Sequence, residues 1–383
     1  MKKIAIIGAG ISGLFVANLF KDNSSYQFTI YEKKNLIKFD EGYGIQLSTN
    51  SVNLLNKIGF NSIIGNDKFN PEKIDFYEIS KNKKICDLNI SHFNSDNCKY
   101  TTLKRSRLIK FLMDRLDTNV IKYDHDIEKI KTINDKIYLV FNKDQEVICD
   151  HLIISDGIFS KAKTIISDNK IKAVYNNSIA IRGNISKDKF KELNKKNISL
   201  FLGSNFHYVV YPTDNKDEKY NFIGILKHNL SSNELNNYSF FNEDKFILNI
   251  KDKLQNKLPA NIIEHLDNFK CFPVFVSKEF YEPTQNISLV GDAFYAFPPS
   301  FAQGASQSIE SGSALFDSIV NNNSNFFRNR IEKVKMINNR SKLNQFAFHL
   351  SNPINILFRN IILKLMTKNK IFLENYLGKI YKD

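Results

Sequence analysis

The chain of 383 residues contains no tryptophan, four cysteines and eight prolines. Cys86, Cys98, Cys149 and Cys271 lie far apart and form no CxxC-type pair. That spacing excludes a disulfide framework, a zinc site and a redox-active dithiol, and fits reduced thiols in a cytoplasmic protein. No run approaches the roughly 18 apolar residues of a spanning helix. Met1 leads straight into an apolar strand, so no signal peptide is expected. Acidic residues are the minority charge, 40 against 54 Lys and Arg, for a formal charge of +14. The lysines are scattered, as at Lys81, Lys83, Lys84, Lys195 and Lys196, with no RNP, zinc-finger or helix-turn-helix pattern among them. A solvated basic surface is expected, and no nucleic-acid partner.

What is present is a globular composition, 42% hydrophobic and 25% charged, at a length that suggests two domains. The stretch "KKIAIIGAGISGLFVANLF" is the most informative. An apolar strand, Lys3 to Ile7, is joined to the helically spaced Leu14 to Phe20 by Gly8, Gly10 and Gly13 in the order G-x-G-x-x-G. Gly8 permits the tight turn, Gly10 lets the backbone approach a pyrophosphate, and Gly13 lets the helix pack on the strand. The amides at the helix start, at Ile11 and Ser12, can then hold the anion. A second strand, "FTIYEKK", ends at Glu32. Its carboxylate, about 20 residues downstream, can accept hydrogen bonds from a ribose 2′-OH, with Lys33 beside it. The pattern predicts a dinucleotide site and leaves NAD or FAD open.

Four further segments carry chemistry. "GYGIQLSTNSVNLLNKIGF" leads from Gly42 into a helix predicted over Ser51–Ile58, and "LKRSRLIKFLMDRL" sets Arg105 at the start of an amphipathic helix. "DHLIISDGIFSKAK" is a buried strand ending at Asp156-Gly157. "SLVGDAFYAFPPSFAQGASQSIE" ends a strand at Gly291-Asp292, then opens a helix with Gly304, Ala305 and Ser306. Together these resemble the class A, FAD-dependent aromatic hydroxylases over nearly the whole chain. The likeness is strongest at Gly8–Gly13, Asp150–Ser160 and Gly291–Gly304. The sequence departs from the family pattern at Tyr295 (usually His), Ala296 (Pro), Ala302 (Gly) and Lys163 (Arg).

The resemblance implies an α/β fold in which a Rossmann-type, glutathione-reductase-like FAD-binding domain is interleaved with an antiparallel-sheet substrate domain, followed by a carboxy-terminal helical segment. The FAD-binding domain is expected over 1–70, 100–165 and 284–345, the sheet domain over 71–99 and 166–283, and the terminal helices over 346–383. Asp292 would accept hydrogen bonds from the ribityl hydroxyls. The amides of Gly304 and Ala305 would face the flavin pyrimidine edge, and Arg105 the flavin side of FAD. Asp156 and the D-G motif, with Lys163 in place of the arginine, would support FAD and a transient NADPH or NADH.

The runs "SIAIRGNIS", "NISLFLG", "HYVVYPTD" and "KYNFIGILKHN" alternate as strands. Arg182, His207, Tyr211 and Pro298 are the candidate substrate contacts, and Tyr295, His207 and Tyr211 the candidate catalytic groups. The implied reaction is NAD(P)H- and O2-dependent hydroxylation of a small phenol-like aromatic through a C4a-hydroperoxyflavin. The tail motif Phe348-His349-Leu350-Ser351-Asn352-Pro353 resembles the salicylate-hydroxylase-like branch. Beyond it, Ile354, Leu357, Ile361 and Leu365 form a stripe expected to pack inward, with a weak membrane-surface contact or a homodimer contact as alternatives. A halogenase on the same scaffold is disfavoured, since its W-x-W-x-I-P signature needs tryptophan and the chain has none. A membrane-associated quinone-pathway hydroxylase, a prenyl-type flavin reductase and a non-catalytic FAD-binding protein remain as rivals.

Overall fold

Strand β1 (Lys2–Ile7) buries Ile4 and Ile6 in one core cluster and Ala5 and Ile7 in another, the two-sided burial of a central parallel strand. After it come α1 (Ile11–Phe20), β2 (Tyr26–Tyr31), β3 (Gly44–Leu47), α2 (Thr49–Asn56), β4 (Lys73–Glu78) and β5 (Lys83–Asn89). Next are β6 (Thr101–Lys104), α3 (Arg105–Met113), β7 (Ile121–Lys122), a meander of β8 (Ile127–Ile133), β9 (Lys136–Phe141) and β10 (Gln145–Cys149), β11 (His151–Ile154) and α4 (Lys161–Ile166). The chain continues through β12 (Val174–Ser186), β13 (Ile198–Gly203), β14 (Phe206–Tyr211), β15 (Lys219–Lys227), α5 (Ser232–Asn236), α6 (Asp244–Gln255), α7 (Ala260–Glu264) and β16 (Asp267–Val276). It closes with β17 (Ile287–Leu289), α8 (Gly304–Val320), α9 (Phe326–Phe348), α10 (Pro353–Met366), α11 (Lys370–Leu373) and α12 (Lys379–Tyr381). This computed structural model describes all residues except 38, 40, 41, 64, 217, 237–239, 242, 285, 324 and 383, with backbone alone at 260 and 261.

Two large sheets organise these elements. The first is wholly parallel, in the order β17-β11-β1-β2-β7. One face is covered by α1, α3 and α8, the other by the β8–β10 meander. α8 crosses α1 closely at Gly312, where an added β-carbon would come within 2.8 Å of Val16.

The second sheet runs β16-β12-β15-β14-β13-β4-β5. It is antiparallel except between β13 and β4, which run parallel, correcting the sequence expectation of an antiparallel sheet. The reason is its assembly: β4 and β5 arrive as a hairpin from the first third of the chain and dock beside β13. Period-two alternation then sorts the side chains. Phe206, Tyr208 and Val210 pack on α6 and α7, whereas His207, Val209 and Tyr211 face a cavity on the other side.

One further expectation is corrected here. The α10 stripe Ile354, Leu357, Ile361 and Leu365 faces outward, while Arg359 is buried. In the loop before α8, Ala302 adopts a left-handed conformation (φ 52°, ψ 33°), which a β-carbon disfavours by about 1 kcal/mol. The glycine usual in the family pattern would carry no such cost. Ala302→Gly is therefore expected to stabilise the protein by up to about 1 kcal/mol in denaturant melts, less the extra freedom of the unfolded chain. A net loss would refute the strain.

Candidate active site

Four strand ends that carry motif residues converge at the carboxyl edge of the parallel sheet, where open α/β sheets bind ligands. β1 leads into Gly8, β2 into Glu32, β11 into Ser155-Asp156, and β17, through Val290, into Gly291-Asp292. Three glycines are packing requirements. A β-carbon on Gly8 (φ 98°) would lie 2.8 Å from the Ser155 carbonyl oxygen and from the Asp156 α-carbon. One on Gly13 would lie 2.1 Å from the Gly8 carbonyl oxygen and 2.6 Å from Ser155 Oγ. One on Gly291 (φ 61°) would lie 2.1 Å from Ser12 Oγ.

Gly10 and Gly304 behave differently, because a β-carbon on either meets nothing within 4 Å. Each stands at a helix start, α1 or α8, that has no capping side chain and no acidic residue in its first turn. The amides of Ile11, Ser12 and Gly13, and those of Gly304 and Ala305, are the ones a helix leaves unbonded. Glu32 is held against the glycine turn, its Oε2 accepting from Ala9 N at 2.9 Å, and Lys33 beside it is exposed. Asp156 Oδ1 and Gln303 Nε2 are buried without hydrogen-bond partners. Orphaned polar atoms beside an open cradle with free helix amides fit an extended anionic ligand such as FAD.

Charge is concentrated at the same edge. Burial raises the Asp292 carboxyl above the ordinary range, while Arg105 and Lys163 pull it back. Asp292 lines the cavity with its surface open, although protein surrounds its carboxyl closely enough to desolvate it. Asp156 is likewise raised by burial, against hydrogen bonds from Ser160 and Ala162. Lys163 is buried between the two carboxylates, donates to the Ala293 carbonyl at 2.8 Å, and is lowered by its burial. It thus ties the D-G segment to the G-D segment from a buried position.

Beside this edge a cavity of about 1110 Å³ opens between the seven-stranded sheet and α9 and α10. Arg105, Asp292, Gly304 and Ala305 line one part of it, and Arg182, His207 and Tyr211 another. These three are polar groups on a sheet face otherwise built from residues such as Ile74, Phe76, Leu200 and Ile225. Arg182 lies over the Tyr43 ring at 5.4 Å. The Tyr211 hydroxyl is buried without a hydrogen-bond partner; burial raises its pKa, while Arg182 and Gln46 act to lower it.

Two expected site residues lie elsewhere. Tyr295 is packed in the core, stacked on Phe280 at 4.3 Å with its hydroxyl accepting from Asn338 Nδ2 at 3.3 Å, and does not line the cavity. Pro298 is buried while its neighbour Pro299 forms the wall. Sequence reasoning missed Gln46, whose Oε1 accepts from Tyr100 at 2.7 Å, and the tail aromatics Phe372, Tyr376 and Tyr381 that close the cavity. The aromatic spacing of the tail was the only signal for them.

His207 Nδ1 and His349 Nε2 are 2.8 Å apart. Burial, and then the facing imidazole, push His207 well below its ordinary value, and burial lowers His349 to about 4. His151, also buried, is lowered to about 4. The unfolded chain therefore binds more protons below about pH 6.5. This contribution is fully present above that pH and is lost as pH falls toward 4, at up to about 1.4 kcal/mol per pH unit for each histidine. Replacing His349 by Gln should flatten that decline in denaturant melts; an unchanged slope would contradict it.

Among the described residues no group of three or more His, Cys, Asp or Glu is placed to hold a metal, and no helix is long and apolar enough to cross a membrane.

No family model matches the chain. Two 3-amino-4-hydroxybenzoate 2-monooxygenases of Streptomyces platensis, PtnB3 and PtmB3, align over 215 and 214 residues at 25% and 23% identity, covering 55% of this chain and 53% of each relative. The chain spans about half the length of the curated relatives it matches. Among solved structures it is similar to Klebsiella pneumoniae HpxO complexed with FAD and uric acid, with a TM-score of 0.84 at 16% identity over 99% of this chain and 96% of that one. A salicylate hydroxylase substrate complex gives 0.80 at 14% identity over 100% and 95%. The 2,6-dihydroxypyridine-3-hydroxylase of Arthrobacter nicotinovorans gives 0.73 at 13% over 90% of each. At such identities the likeness is one of fold: the mixed α/β architecture here is that of the class A FAD-dependent hydroxylases.

Proposed function

We propose that the chain is an FAD-dependent monooxygenase that uses NADH or NADPH and O2 to hydroxylate a small aromatic substrate. The observation that carries this reading is the junction of two sites. A dinucleotide cradle at one sheet edge opens, at Asp292 and Gly304, into a largely apolar cavity whose sheet face carries Arg182, His207 and Tyr211.

When bound, the flavin supplies the redox chemistry, taking hydride from the nicotinamide and activating O2. The chain supplies binding, orientation and a dry site. Amides at the start of α1 would hold the diphosphate, Glu32 the ribose, and Asp292 the ribityl hydroxyls. Amides of Gly304 and Ala305 would offset negative charge on a bound flavin. The apolar sheet face excludes water from the reacting groups. Tyr211, with its pKa raised, is a hydrogen-bond donor and not a base. It and Arg182 would fix a phenolic oxygen, and neutral His207 would accept a hydrogen bond from the ring substituent.

The test is substrate-stimulated NAD(P)H oxidation with matching O2 uptake, screened over phenols, aminophenols and purine-like rings. Tyr211→Phe and Arg182→Ala should each lower kcat/KM for the responding aromatic about 10- to 100-fold, chiefly through KM. Holoprotein that oxidises NAD(P)H without any aromatic dependence would favour a reductase.

A further inference from the structure

We propose that α10 is a docking surface for an anionic lipid bilayer, with the mouth of the cavity set against the lipid. Ile354, Leu357, Phe358, Ile361, Ile362 and Leu365 are between 45% and 67% exposed. At 100° per residue they fall on one contiguous arc, so the apolar face of this amphipathic helix is its outer one. The inner side is held by polar contacts. Arg359 Nη1 donates to the Ala347 carbonyl at 3.4 Å and Asn360 Nδ2 to Glu78 Oε2 at 2.8 Å. The outward orientation is therefore built into the fold.

A contiguous exposed apolar patch marks an interaction site. Charge selects its occupant. From Lys333 to Leu373 the chain carries eight Lys or Arg and no Asp or Glu. Of these, Lys342, Lys364, Lys368 and Lys370 are exposed. An apolar helix face fringed by lysines complements a surface with a hydrocarbon interior and negative headgroups. A second basic copy of this chain offers no such charge match.

The patch is continuous with the cavity, because Phe346, Phe358, Ile362 and Met366 are exposed and line it as well. A lipophilic aromatic would thus pass from bilayer to cavity without crossing water. That corollary rests on the monooxygenase reading, whereas the docking does not.

The test is sedimentation of the FAD-reconstituted full chain with vesicles of phosphatidylcholine, alone or with one-third phosphatidylglycerol, together with light scattering of the free protein. Binding is expected on the anionic vesicles, about tenfold or more above the neutral ones, and weakening with salt. Leu357→Glu with Leu365→Glu should lose it about tenfold or more without changing the melting temperature, since both side chains are exposed. A separate triple change of Lys364, Lys368 and Lys370 to Ala should reduce it similarly, so misfolding of either variant leaves the other decisive. No binding by the wild type, or binding indifferent to both variants, overturns the proposal. So does a dimer that the Glu variant dissociates while vesicles bind nothing.

Discussion

Gly10→Val is expected to fold as the wild type does and fail to hold a flavin. The backbone of Gly10 is already extended (φ −82°, ψ −174°), a conformation that valine adopts readily. A β-carbon there meets no protein atom within 4 Å. Its side chain would enter the open space beside the α1 amides, where the diphosphate of the proposed flavin would bind. FAD affinity should fall about 100-fold or more, roughly 2.7 kcal/mol, measured by titrating apoprotein with FAD, with the apoprotein melting temperature unchanged. Gly13→Ala provides the contrast. Its β-carbon would collide with the Gly8 carbonyl oxygen at 2.1 Å, so stability and cofactor should be lost together. Equal behaviour of the two variants would mean that the open space at Gly10 is not the cradle.

The second large effect concerns stability. Glu310 on α8 is the hub of a buried polar network. Its Oε1 takes an ion pair from Arg330 and another from Lys333 at 3.1 Å. Its Oε2 accepts from Asn50 Nδ2 at 2.8 Å and Gln307 Nε2 at 3.0 Å. The network fastens α2 and α9 to the helix whose first turn faces the cavity. Glu310→Ala leaves a guanidinium that is 5% exposed without its carboxylate, a class of loss that costs about 3–5 kcal/mol. Denaturant unfolding should report that loss. Replacing Arg330 by Met in the same variant should restore part of it, because the stranded charge is then gone. A loss under about 1 kcal/mol would show that solvent already satisfies the pair.

The cofactor half was legible in the sequence because its residues are constrained locally. Gly8, Gly13 and Gly291 stand where a β-carbon would clash, and Asp156 and Asp292 closely follow strands that the hydrophobic pattern reveals. The polar wall was legible for a related reason, since Arg182, His207 and Tyr211 occupy alternating strand positions. What was not legible depends on partners distant in the chain. Tyr295 sits where the family pattern suggested a flavin neighbour, yet its direction is set by Phe280 and Asn338. The periodicity of α10 defined an apolar stripe without saying which side met the protein; Glu78, 282 residues away from Asn360, decided that. The parallel β13–β4 pair is likewise a long-range docking event.

The measurement that bears most directly on the central claim is the visible spectrum of the purified protein after reconstitution with excess FAD and gel filtration. One tightly held, non-covalent FAD per chain is expected, lost in Gly10→Val and retained in Tyr295→Phe. Wild-type protein that emerges folded and colourless would contradict the placement of a flavin between the glycine turn and Asp292.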